Sequence, residues 1–251
     1  LILLGQIAAG HPRFAELQVL ATELARVTGA NLGYVTEGAN AAGLALAGAL
    51  PHRGPGGAAR ARKGMNAARI GQGGMGAVIV LGIEPEFDCA DGGAVIRTLQ
   101  DSPFAVALAP YFTDSMRGWA NVALPIGVFS ENEGTYVNVE GRWQSFDAVS
   151  RPVGDARPAW KVLRVLGARL NARAFDYDSA VAVCAELRQR LAGATAPAVA
   201  IPALVAGPPV DGAGAELDTP MYSIDPLVRR AKSLQLTADA LAPRPHLRRS
   251  A

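Results

Sequence analysis

Four polar side chains, Asn138, Glu140, Arg142 and Gln144, alternate through a stretch that is otherwise composed like a strand, SENEGTYVNVEGRWQSF at 130–146. Two amides, a carboxylate and a guanidinium form a dense set of donors and acceptors, suited to a polar heterocycle or a subunit contact. The same residues also spell a β-hairpin. Thr135–Val139 and Arg142–Phe146 would pair across a two-residue Glu140-Gly141 turn, with Gly141 supplying a positive φ and Tyr136, Val137, Val139, Trp143 and Phe146 supplying strand propensity. The hairpin accounts for the glycine and the aromatics but not for the four polar residues, so both readings stand on residue chemistry alone.

Other candidate chemistry is thinner. Gly71-Gln72-Gly73-Gly74-Met75-Gly76 matches the G-x-G-x-x-G spelling of dinucleotide loops. That mechanism needs a strand before the glycines and a helix after them. Here a helical pattern comes first and the strand-like Ala77–Leu81 follows, which predicts a helix-to-strand connection. Gly82-Ile83-Glu84-Pro85-Glu86-Phe87-Asp88 leaves the carboxyl end of that strand, where open α/β sheets take ligands, but its acidic residues repel phosphate. A small-nucleotide site near Gly82 and Pro110 is therefore a third reading, without an anion-ready helix N-terminus to support it. Two cysteines, Cys89 and Cys184, are too few for an iron–sulfur cluster or a structural zinc, and the three histidines are scattered. No metal site is expected.

The elements that must position these residues follow from hydrophobic periodicity. Leu1–Leu4, Leu32–Thr36, Ala77–Leu81 and Phe104–Ala109 are short, apolar runs, as strands buried on both faces should be. Phe14, Leu17, Leu20, Ala21, Leu24 and Val27 recur at helical spacing, with Pro12 in the first turn and Gly29 at the end. Further helices fit near 39–50, 62–72 and 90–100. Strands alternating with helices give an α/β class with a mostly parallel sheet and flanking helices over 1–150. A helical segment follows over 151–193, with one helix marked by Trp160, Leu163, Leu166 and Leu170. Another carries Val181, Cys184, Leu187 and Leu191, with Asp178 as its N-cap. Residues 194–251 hold nearly half of the 17 prolines and read as an extended arm with one short helix near 225–236. In that helix Arg229, Arg230 and Lys232 are expected on a solvated face, with an acidic neighbour as the alternative.

Composition bounds the partners. The 251 residues carry 24 basic and 22 acidic side chains, interspersed, for a formal net charge of +2, which gives no electrostatic case for nucleic acid. No apolar run approaches the roughly 20 residues that span a bilayer. A chain whose first residues already read as a buried strand is expected to be part of a longer protein.

The spacing Glu131-x-x-Gly134-Thr135-x-x-Asn138-x-Glu140-Gly141-Arg142-x-Gln144 resembles a signature of molybdopterin-dependent oxidoreductases. Arg151-Pro152-x-Gly154-x-Ala156-Arg157-Pro158-Ala159-Trp160-Lys161-Val162-Leu163 resembles more narrowly the large iron–sulfur subunit of bacterial NADH:quinone oxidoreductase, respiratory complex I. So do Thr36-Glu37-Gly38-Ala39-Asn40-Ala41-Ala42-Gly43, Pro51-His52-Arg53 and Pro220-Met221-Tyr222 with Leu227-Val228-Arg229-Arg230-Ala231. The resemblance implies a complex that passes electrons from NADH through flavin and iron–sulfur clusters to quinone, on the cytoplasmic side of the bacterial inner membrane. The cluster cysteines would lie upstream of this segment, and its partners would be the other peripheral-arm subunits. In that family the molybdopterin-type domain is taken to have lost its cofactor. The motif residues Gly134, Thr135, Asn138, Glu140, Gly141, Arg142 and Gln144 would then be an inherited pterin loop, with no catalytic residue among the 251. No β-rich domain is evident after Phe146, although molybdenum enzymes usually carry one to close over the second pterin. The alternative implied by the same resemblance is a working pterin-binding oxidoreductase. The first reading expects the space beside residues 131–144 to be filled by side chains, and the second expects a pocket large enough for a pterin.

Overall fold

The computed structural model describes residues 1–36, 38–89, 91–192 and 221–242. In chain order the main elements are β1 (Ile2–Leu4), α1 (Phe14–Thr28), β2 (Leu32–Tyr34), α2 (Ala41–Ala47), β3 (Val78–Leu81), α3 (Gly92–Asp101) and β4 (Ala105–Ala109). There follow β5 (Val122–Pro125), β6 (Gly134–Val137), β7 (Trp143–Phe146), α4 (Ala159–Arg169), α5 (Ala180–Leu191) and α6 (Pro226–Arg230). The class is α/β with parallel strands flanked by helices. Two units can be distinguished, one drawn from Leu1–Lys63, Thr135–Phe146 and Val183–Asp218, the other from Gly64–Gly134, Asp147–Ala182 and Thr219–Ala251.

In the first unit β1 and β2 form a two-stranded parallel ladder, Ile2 opposite Leu32 and Leu4 opposite Tyr34. α1 connects them. Gly29 ends it in the left-handed region (φ 68°), its N–H donating to the Ala25 carbonyl, the C-terminal device that glycine allows without a steric cost. α2 ends the same way at Gly48 (φ 77°), and here the space is also closed: a Cβ would lie 2.3 Å from the Gly54 carbonyl carbon.

The second unit is built on a parallel sheet of three strands in the order β3-β4-β5. β4 is the centre, and Ala105, Val106, Ala107 and Leu108 are all buried, as a central strand covered on both faces requires. On one face Val80, Ala105 and Ala107 pack with Leu99 of α3, Met116 and Trp119. On the other, Val106, Leu108 and Ile126 pack with Ala159, Val162 and Leu163 of α4. Among the described residues the parallel strands pair as β1-β2 and as β3-β4-β5.

Several local expectations shift. α1 starts at Phe14, so Pro12 lies before the helix. Ser179, not Asp178, caps α5: its hydroxyl accepts from the Ala182 N–H at 3.1 Å. The expected helix at 225–236 breaks after Arg230 into a 3-10 turn at Leu234–Leu236. Gln235 folds back at the break and donates to the Tyr222 and Val228 carbonyls, both at 2.9 Å. The rest of the expected arm, 194–220 and 243–251, lies outside the described residues.

Candidate functional site

Several polar residues of the opening segment are satisfied within the protein. In the second unit, Glu131 accepts from the Val128 N–H at 3.0 Å, and the Asn132 amide donates to the Gly127 and Val128 carbonyls at 3.0 and 2.7 Å. Glu133 accepts from the Trp160 indole N–H at 3.1 Å, joining the first signature to the second. The backbone does the same: Gly127 N–H donates to the Arg157 carbonyl at 3.0 Å, Arg157 N–H donates to the Pro125 carbonyl at 3.3 Å, and Ile126 and Arg157 form a parallel bridge. One atom of this stretch, Asn132 Oδ1, is buried without a hydrogen-bond partner in the structure.

In the first unit, β6 and β7 form the expected hairpin, but not with the expected turn. Asn138 N–H donates to the Arg142 carbonyl and Gly141 N–H to the Asn138 carbonyl, so the loop holds three residues, Val139, Glu140 and Gly141. Gly141 adopts φ 77°, which a two-residue Glu140-Gly141 turn and this bulged one both demand. The side chain of Asn138 decides between them. Its Oδ1 accepts from the N–H groups of Glu140 (3.1 Å) and Arg142 (2.9 Å), holding the turn from inside. Thr135 and Ser145 hydroxyls meet across the strands at 3.0 Å, and Tyr136 packs edge-on against Phe146 at 4.9 Å.

Each motif residue therefore has a place. Gly134 and Thr135 begin β6; Asn138 and Gly141 shape the turn; Glu140 and Arg142 lie exposed with 3.9 Å between their charged groups; Gln144 is exposed on β7. A cleft of about 990 Å³ lies beside the turn, lined by Ala42, Leu46, Val139, Trp143 and Leu191, with Arg188 stacked 4.9 Å over the Trp143 ring. That volume suits a ligand, so the space beside the hairpin is open, against the expectation of the scaffold reading that side chains fill it. Its walls are apolar, however. Of the four polar motif residues only Asn138 reaches it, and its acceptor oxygen already serves two backbone donors. A pterin presents an edge of alternating donors and acceptors plus an anionic phosphate, and among the described lining side chains only the Arg188 guanidinium and the Asn138 amide nitrogen could meet these groups. The described residues are a poor fit to that cofactor as arranged.

Asn40, which sequence reasoning did not single out as functional, is what fixes the hairpin. It precedes α2 but makes no capping bond there; its Oδ1 instead accepts from the Val137 N–H at 2.9 Å, 97 residues away. Gly43 makes this possible, since a Cβ at that position would lie 2.0 Å from Asn40 Oδ1. The Asn40-x-x-Gly43 spacing was the available signal, but only long-range pairing gives it a meaning.

The acidic loop after β3 also has an internal partner. Glu84, 4% exposed, pairs with Arg229 (3.3 Å) and Arg230 (2.8 Å), and Asp88 pairs with Arg229. The expected solvated face of α6 is thus an ion-paired one for these two arginines, whereas Lys232 is exposed. Beyond it, burial raises the Cys89 thiol pKa, and the charges of Asp88 and Glu86 push it the same way. No cluster of histidine, cysteine and carboxylate with metal-holding geometry occurs among the described residues. None of the described helices is long and apolar enough to cross a membrane.

The family model for molybdopterin oxidoreductases matches residues 1–169. The mitochondrial NADH-ubiquinone oxidoreductase 78 kDa subunit of Candida albicans is 45% identical over 65 residues, 26% of this chain and 9% of that protein. The assimilatory nitrate reductase catalytic subunit of Bacillus subtilis is 31% identical over 141 residues, 54% of this chain and 20% of the relative. The NADH-ubiquinone oxidoreductase 75 kDa subunit of Reclinomonas americana is 34% identical over 97 residues, 39% of this chain and 14% of its own length. The chain thus spans a small part of the curated relatives it matches. With more than half its length matched by one family model, and parallel α/β architecture to go with it, the chain belongs to the molybdopterin oxidoreductase family.

Proposed function

We propose that this chain is a structural and assembly portion of the large peripheral-arm subunit of an NADH:quinone oxidoreductase, carrying no reacting residue and no cofactor of its own. The observation that carries the reading is the lining of the cleft beside the hairpin: its described walls are largely apolar, Glu140, Arg142 and Gln144 are not among them, and the Asn138 side-chain oxygen is taken by two backbone N–H groups. The similarity to NADH-ubiquinone oxidoreductase subunits supports the choice of complex. In the parent protein, iron–sulfur clusters would be bound by cysteines outside this sequence. The neighbours would be other peripheral-arm subunits, on the cytoplasmic side of a bacterial inner membrane.

A second reading, a working molybdopterin enzyme, draws on the nitrate reductase similarity, which extends over 141 residues. Elemental analysis of the purified parent complex separates the two. Molybdenum and tungsten at background, with iron present, is the expected result. Either metal near one atom per complex overturns the scaffold reading.

A further inference from the structure

In open α/β sheets, ligands enter the crevice beyond the carboxyl ends of the strands. In the second unit that position lies beyond Leu81, Ala109 and Pro125, the last residues of β3, β4 and β5. The protein's own C-terminal segment is already there. Asp225, Pro226 and Leu227 stand against Gly82, Pro110 and the 126–129 turn, and the space left between them is about 210 Å³. That is below the roughly 300 Å³ at which ligand pockets begin.

How the segment is held shows that its position is specified rather than incidental. Asp225 accepts from the Leu227 and Val228 N–H groups at 2.8 and 3.2 Å, so the helix that enters the crevice is capped by its own first side chain. Four residues on, Arg229 bridges two carboxylates, Glu84 at 3.3 Å and Asp88 with its other nitrogen, while its Nε donates to the Ser223 carbonyl. Arg230 takes the second oxygen of Glu84 at 2.8 Å. The Arg229 guanidinium lies 4.7 Å over Phe87 and that of Arg230 lies 4.0 Å over Tyr111. Two cations thus meet two anions, and the Arg229 and Glu84 side chains are only 6% and 5% exposed. Desolvating such charges is costly unless every partner is in place, so the network favours one docked arrangement over near alternatives.

We propose that residues 221–230 form a strap that docks in the carboxyl-end crevice of the β3-β4-β5 sheet and holds it shut against ligands, with Arg229 as its latch. The inference concerns a different site from the hairpin and does not rest on the absence of a pterin; its test can fail whatever the metal analysis returns.

The test is amide hydrogen exchange on the full chain and on Arg229→Gln. Wild type should protect residues 227–229 well beyond the rate of a free peptide. In Arg229→Gln that protection should fall at least tenfold, exchange at 126–129 should rise with it, and the central strand at 106–108 should be unchanged. Unchanged protection at 227–229 overturns the proposal, because the latch then holds nothing. Equal loss at 106–108 also overturns it, because the segment is then an inseparable layer of the core and not a strap. Arg229→Lys covers the case in which the glutamine variant does not fold. An ammonium keeps the charge but cannot span both carboxylates, and a partial loss at 227–229 with the sheet intact is required.

Discussion

Asn40 offers the sharpest test of how the hairpin is held. Its Oδ1 is the hydrogen-bond partner of the Val137 N–H at 2.9 Å, and Val137 is 2% exposed, so its N–H has little access to water while the native packing holds. Asn40→Ala leaves a buried donor unsatisfied and should destabilise the first unit by about 1–3 kcal/mol. Gly43→Ala should act through the same bond. The three atoms nearest a Cβ at 43 all belong to Asn40, the closest at 2.0 Å, so Asn40 must swing away. Alanine also gains roughly 1 kcal/mol of helix propensity over glycine within α2, so the net loss should be smaller than for Asn40→Ala. The double variant separates these effects. With Asn40 already truncated, nothing is left to displace, and Gly43→Ala should become stabilising by about 0.5–1 kcal/mol. Denaturant titration of the four proteins gives the cycle, and exchange at the Val137 amide reports the bond directly. Additive effects, with Gly43→Ala equally harmful in both backgrounds, would refute the account of why this spacing exists.

Trp160→Phe removes the indole N–H that Glu133 accepts at 3.1 Å, a bond to a charged acceptor, and should cost about 1.5–3 kcal/mol of second-unit stability by urea denaturation; Glu133→Gln, which keeps an acceptor, should cost less. Gly48→Ala needs both a left-handed backbone (φ 77°), about 1–2 kcal/mol for an L-residue, and room that the Gly54 backbone occupies at 2.3 Å. That variant should express with a sharply lower melting temperature or not accumulate at all. Burial first, and the charges of Asp88 and Glu86 after it, raise the Cys89 thiol pKa, so the folded state binds this proton more tightly than the unfolded one. The resulting stabilisation is complete below the ordinary thiol value of about 8.5 and is lost as pH rises through the folded value. Peptide-resolved alkylation near that pH should label Cys89 more slowly in the folded than in the denatured chain, and equal rates would contradict the burial argument.

The parts of the fold that could be read from the sequence are those in which one periodicity governs every residue. β4 is an unbroken apolar run because both its faces are covered, and α1 shows its stripe and its terminal glycine. The pairing of the strands as β1-β2 and as β3-β4-β5 was not legible, since strand pairing depends on hydrogen bonds between segments and leaves no mark on composition. The hairpin shows the boundary well. Its strands followed from aromatic and branched residues, but its register did not. Choosing a two-residue or a three-residue turn required knowing that the Asn138 side chain caps the Glu140 and Arg142 amides. The arginines of α6 mark the same limit: their partners, Glu84 and Asp88, lie about 140 positions earlier.

A polar motif shared with enzymes invites the inference that it binds what the enzymes bind, and the geometry here gives a reason for caution. Glu131, Asn132, Glu133 and Asn138 each satisfy a backbone or indole group of this chain, and replacing any of them would leave a donor or acceptor unpaired. Such residues are held in place by folding whether or not a cofactor is bound. They report descent and architecture, which a catalytic reductase and an assembly subunit can share, and they are silent on chemistry. The discriminating positions are the exposed ones: Glu140 and Arg142, whose charged groups lie 3.9 Å apart, and Gln144 on β7. Here Arg142→Ala and Gln144→Ala should leave the stability of the chain within about 0.5 kcal/mol of wild type, as surface substitutions do. On the reading proposed above, the same variants should also leave the electron-transfer activity of the assembled parent complex unchanged. A loss of activity at unchanged stability would place a ligand against the hairpin after all.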